Sequence, residues 1–150
     1  MTSRFVPLAA VLLAAAVASA ADAASQPIAA VEVASRVSRR DRDLRTVLRN
    51  GVESQLRTVD WGASRTGGPY VLSTSLVRLD TQTSDGVTLV SCTVSMALRD
   101  QKKGSLRAIV EGRASSETRP SAAREAEDSA VLAAVRGAVR TLPQAIEKSK

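Results

Sequence analysis

The residues of this chain best suited to meet a partner are four arginines and two aromatic rings: Arg39, Arg42, Arg45, Arg49, Trp61 and Tyr70. Arg42, Arg45 and Arg49 recur at i, i+3 and i+7, so a helix through them carries three guanidiniums on one face. Such a face does one of two things. It is solvated and paired with neighbouring acids, here Asp41, Asp43 and Glu53. Or it holds anions such as lipid headgroups, lipopolysaccharide phosphates or cell-wall carboxylates. Trp61 and Tyr70 flank the following loop. Amphipathic rings there close the edge of a core or, if exposed together, form a contact for a protein partner.

The rest of the inventory excludes most catalysis. There is no histidine, hence no Ser-His-Asp triad, no Cys-His pair and no histidine metal site. The one cysteine, Cys92, stands among Val90, Val94 and Met96 and reads as a buried small hydrophobe, not a nucleophile. Thr66-Gly67-Gly68-Pro69 lacks the lysine and the following helix of a phosphate loop and reads as a turn. Asp80, Asp85 and Asp100 sit beside turn residues, and no acids have the spacing of a metal site or a hydrolytic pair. No catalytic residue, cofactor or metal is expected. The net charge of +6 suits an anionic surface, but 2% aromatic residues leave almost nothing for bases to stack on, so nucleic acid is not an expected partner.

The chain has 150 residues, enough for one domain. Residues 1–20 have the pattern of a signal peptide: Arg4, an apolar run from Phe5 to Val17, then Ala18-Ser19-Ala20, with an alternative cut after Ala23. The run falls short of the roughly 20 apolar residues of a membrane span. No cysteine stands near the cut, so no lipoprotein acylation site is present. The expected product is exported, periplasmic or extracellular. Residues 21–35 then form a linker and first strand, 36–147 a single domain, and 148–150 a loose tail.

The elements that must position these residues follow from periodicity. Ile28 to Val33 is short and apolar, the weakest strand pattern in the chain. Leu44, Val47, Leu48, Val52, Leu56 and Val59 form a helical stripe, predicting a helix from about Arg40 to Thr58 with Ser38 as its cap and Gly51 as a weak point. From Tyr70 the period is two. Tyr70, Leu72, Thr74 and Leu76 share one face, and Val71, Val77 and Leu79 the other. Asp80 to Gly86 reads as a turn with Asp85-Gly86 as its hairpin signal. Val90, Cys92, Val94, Met96 and Leu98 form the apolar face of the next strand. Leu106, Ala108, Val110, Gly112 and Ala114 form that of a third, after a turn at Asp100–Gly104. Ser115 to Ser121 reads as a loop, with Ser121 capping a last helix that Pro143 ends or kinks. The order is β-α-β-β-β-α. The expected fold is α+β, a two-layer sandwich with a mainly antiparallel meander and both helices on one face.

One stretch resembles a recurring envelope pattern. Pro69-Tyr70-Val71-Leu72-Ser73-Thr74-Ser75, then a hairpin, then Met96-Ala97-Leu98-Arg99-Asp100-Gln101-Lys102-Lys103-Gly104-Ser105-Leu106 is similar to the small periplasmic α/β domains of the TolB N-terminal, curli-secretion lipoprotein and penicillin-binding-protein activator type. Two features depart from them: the lipoprotein cysteine is absent, and Ser75 stands where a glycine is often found. The resemblance implies a non-catalytic envelope module that binds or assembles with an envelope protein, oligomers included, and transfers no site residue. The alternative is a peripheral binder of anionic glycolipid or cell wall through the arginine face.

Overall fold

The computed structural model describes residues 26–66 and 68–150, so the expected signal peptide with its two cut sites, and Gly67, lie outside the described residues. Strand β1 (Ile28–Ser35) is followed by helix α1 (Leu44–Thr58) and a short 3-10 turn at Gly62–Thr66. Strands β2 (Tyr70–Ser84), β3 (Val87–Asp100) and β4 (Leu106–Thr118) come next. A 3-10 turn at Pro120–Ala122 leads into helix α2 (Ala123–Lys148). The sheet order is β1-β2-β3-β4, with β1 parallel to β2 and the other pairs antiparallel. The fold is therefore the expected α+β sandwich.

Alternation along the strands sends one set of side chains to the helices. Leu72, Leu76, Val90, Val94, Met96 and Leu98 are fully buried there, against Val131, Ala134, Val135 and Leu142 of α2 and Leu48 and Val52 of α1. Helix α2 lies over β3 and β4, and α1 lies beside it over β1. The two helices run parallel: Gly51 faces Leu132 and Val135, while Gln55 and Thr58 border a cleft with Arg136 and Arg140. Two glycines permit these approaches. A Cβ on Gly112 would lie 1.8 Å from the Ala134 carbonyl oxygen, and one on Gly51 would lie 2.8 Å from the Leu132 side chain. The Gly51 judged a helix weakness is thus the contact point between helices, where its missing side chain is needed.

Several expectations about boundaries are corrected. Helix α1 starts at Leu44, not Arg40, because the Asp43 carboxylate accepts from the Arg45 backbone N–H and caps it; Ser38 is not the cap. Arg42 therefore precedes the helix and does not share its face. Strand β2 continues to Ser84, and the turn is only Asp85-Gly86, both with positive φ (52° and 77°), as a type I′ hairpin requires. A bulge at Val77 shifts the register between Leu76 and Arg78 and returns Leu79 to the buried face. Leu106 is 55% exposed, since a second irregularity opposite Leu98 and Arg99 takes it off the inner face. Strand β4 extends through Ser115 to Thr118, and α2 has no side-chain cap from Ser121. Pro143 sits inside α2 without ending it, because Leu142 and Ile146 are buried on either side and anchor the helix through it; the Ser64 hydroxyl also donates to the Pro143 carbonyl at 2.9 Å.

Candidate functional site

The four arginines separate into two pairs. Arg39 and Arg42 lie in the β1–α1 connection and turn inward. Arg42 contacts both Glu127 and Asp128, and Arg39 donates to Glu127 at 3.1 Å and to the Leu79 carbonyl at 3.0 Å. The Thr81 hydroxyl donates to the same Glu127 carboxylate at 2.6 Å. The Arg42 side chain is 8% exposed and that of Glu127 is 10% exposed. Burial pushes the Glu127 carboxyl up, but the hydrogen bonds from Thr81 and Arg39 and the charges of Arg39 and Arg42 outweigh it and hold the group below its ordinary value. This network ties the connection, β2 and the start of α2 together.

Arg45 and Arg49 stay on the surface of α1. Arg45 pairs with Asp43 at 3.2 Å, and this contact keeps the Asp43 carboxyl below its ordinary value. Arg49 lies 3.8 Å from Glu53 and donates to the Val31 carbonyl at 3.4 Å. Of the four arginines, only these two are left exposed for anions, each beside an acid. Trp61 and Tyr70 are 4% and 6% exposed and close the core edge, so neither offers a ring to a partner.

Cys92 is buried on the inner face of β3, and desolvation pushes its thiol up to about 11. At about pH 8 it is therefore a protonated hydrophobe. The native protein is expected to leave a thiol reagent such as Ellman's unreacted, and to release its thiol only when unfolded in urea. Rapid native labelling would contradict this burial.

The uncommitted surface is the other face of the sheet. No described element covers it, because both helices lie on the inner side. Cross-strand register assembles it from rows: Ser73 opposite Ala97, Ser95 between Ser75 on one side and Glu111 on the other, and Ser91 opposite Ser115. Ala30, Glu32 and Ala34 of β1 continue it at one edge. One row, Arg78–Thr93–Arg113, places a hydroxyl between two guanidiniums. Together with Ser91 and Ser115 that row lines a shallow trough of about 520 Å³. Arg78 bonds Asp80, and Arg113 bonds Glu111 at 3.1 Å, so the trough is charged but locally balanced. The centre of the face is small and nearly uncharged, and its rim carries Glu32, Arg78, Arg99, Glu111 and Arg113. The alternation that builds it was visible from Ser91 to Arg99. Its openness follows from the expected placement of both helices on one face, which the structure shows.

Among the described residues no group of His, Cys, Asp and Glu is placed to hold a metal ion, and no helix is long and apolar enough to cross a membrane. No family model matches the sequence, and no curated protein matches it. Solved structures do match. A Xanthomonas campestris protein of the DUF330 family is similar with a TM-score of 0.60 and 10% identity, covering 83% of this chain and 87% of that one. A hypothetical protein of Chlamydia trachomatis gives 0.55 and 8%, covering 81% and 98%. A candidate lipoprotein of Caulobacter crescentus gives 0.50 and 20%, covering 84% and 92%. At these identities the likeness is one of architecture, and the chain shares its α+β fold with small bacterial proteins that include a candidate lipoprotein.

Proposed function

We propose that this chain is an exported envelope protein that binds or assembles with another protein and performs no turnover of its own. The observation that carries this reading is the uncovered sheet face, a broad surface of serine, threonine, alanine and valine with Leu89 and Ile109 exposed upon it, beside a helix-covered core. A two-layer domain with one wet sheet face is stable without further cover, so the face is free to receive a partner. Its small side chains let a partner backbone approach closely, and its charged rim supplies orientation. The apolar N-terminal run, the fold shared with a candidate lipoprotein and the strand motifs similar to TolB-type periplasmic domains support the location. The absence of histidine from the sequence and a thiol held protonated support the lack of chemistry.

The arginine-face alternative is weakened, since Arg39 and Arg42 are consumed within the fold. Substituting Ser95→Arg at the middle of the open face is expected to reduce recovery of the envelope partner at least about tenfold, with no change in the unfolding midpoint. Reversing Arg45 and Arg49 to glutamate is expected to leave that recovery intact. Loss of binding on the arginine reversals alone, or turnover of ester, peptide, glycan or phosphate substrates by purified protein, would refute the reading.

A further inference from the structure

We propose that two copies of this chain pair antiparallel through the free edge of β4, around a twofold axis at Gly112, to make one continuous eight-stranded sheet. The pairing runs along the backbone edge of β4 and shares only rim residues such as Glu111 and Arg113 with the open face, and its test reads self-association alone, so it stands or falls independently of the partner reading above.

Strand β4 ends the sheet, and its second side has no strand against it among the described residues. It pairs regularly with β3 from Ala108 to Thr118 and contains no proline, so its free backbone groups over that stretch can pair with a further strand. Its outward charges are Arg107, Glu111, Arg113 and Glu117. Their order is antisymmetric about Gly112. In an antiparallel pair centred there, Glu111 meets Arg113 of the second copy, a contact that occurs twice, while Arg107 stays at the irregularity beside Leu106, held by Asp100 at 3.3 Å. Ile109, 60% exposed, meets Ser115 of the second copy, and on the inner face Val110 meets Ala114. A one-step slip in either direction breaks these matches and places the charges on opposite sheet faces from their partners, so register is specified. The existing Arg113–Glu111 pair lies between side chains 77% and 50% exposed and is easily exchanged for contacts across the axis.

The helix above the edge is compatible with this pairing. Leu132 and Val135 of α2 point to α1. At 100° per residue, the opposite flank carries the exposed Ala133 and Gly137, and a Cβ on Gly137 would meet nothing within 4 Å. Small residues on that flank let the second copy's α2 come alongside, and a twofold pairing of this kind is closed and self-limiting.

The test uses sedimentation equilibrium on the folded protein. The wild type is expected to dimerise below about 100 μM. Either Glu111→Arg or Arg113→Glu is expected to weaken the dimer about tenfold, since each reverses two symmetric contacts, and the double swap is expected to restore it. A chain carrying both Ile109→Cys and Ser115→Cys is expected to form an interchain disulfide under mild oxidation. Within one chain these residues are roughly 20 Å apart along the strand and cannot join. A monomer at 100 μM, a dimer indifferent to the single reversals, or failure of the cross-link would each overturn the proposal.

Discussion

Placing valine at Gly112 is expected to destabilise the protein by about 3 kcal/mol. The added Cβ would lie 1.8 Å from the Ala134 carbonyl oxygen and 2.8 Å from its carbon. These are backbone atoms of a helix whose buried side is packed from Ala126 to Ile146. The clash cannot be relieved by turning a side chain, so α2 must lift from β4, and the burial of Ala134, Ala138 and Val135 is lost together. A loss of that size is a large share of the roughly 5–15 kcal/mol that keeps such a domain folded. Urea unfolding followed by Trp61 fluorescence reads it, because Trp61 is buried and becomes exposed on unfolding. Gly137→Ala is the control. Its Cβ meets nothing, and the gain in helix propensity is expected to stabilise by about 1 kcal/mol. Equal midpoints for the Gly112 variant and the wild type would show that α2 does not sit where the glycine permits it.

The second large effect lies at Glu127. Replacing it with leucine removes the shared acceptor of Arg39, Arg42 and Thr81 and leaves the buried Arg42 guanidinium with Asp128 and a long contact to the Arg124 carbonyl. Breaking a buried ion pair from one side costs about 3 kcal/mol, because the remaining charge stays out of water without full compensation. The same site sets an acid limit. The Glu127 carboxyl titrates below its ordinary value in the folded protein, so the unfolded chain binds the proton more readily. Its contribution is therefore complete above the ordinary carboxylate range and is lost as pH falls through the lowered folded value. Asp100 shifts the same way, held low chiefly by the Lys103 backbone N–H and also by Arg107, and Asp43 follows through Arg45. With no histidine in the sequence, stability should be level across neutral pH and fall on the acid side. Glu127→Gln is expected to shallow that fall, measured as the urea midpoint against pH. An undiminished slope would remove Glu127 from the account.

How much of this was legible in the residues depended on whether the cause was local. The β3 alternation and the Asp85-Gly86 turn are local, and both appear where the periodicity places them. The start of α1 was misplaced because Ser38, Asp41 and Asp43 are all competent caps, and only the packing of Leu44 and Leu48 against the sheet selects among them. Leu79 was assigned to the wrong face because a bulge of one residue inverts every later position, and nothing in the Leu76-Val77-Arg78 sequence announces it. The arginine cluster was read as a surface because its partners, Glu127 and Asp128, stand more than 80 residues away. Gly112 was read as an ordinary inner-face position for the same reason: the helix that needs its missing side chain comes later in the chain.

The central claim is that the sheet face opposite the helices is where this protein meets another. Site-specific photocross-linking in the intact cell envelope tests it most directly, with a benzophenone side chain at Ser95 on the open face and, separately, at Arg140 on the helix layer. The account predicts a discrete protein adduct from Ser95 and none from Arg140. Adducts from Arg140 alone, or none from Ser95 in a folded protein, would contradict it.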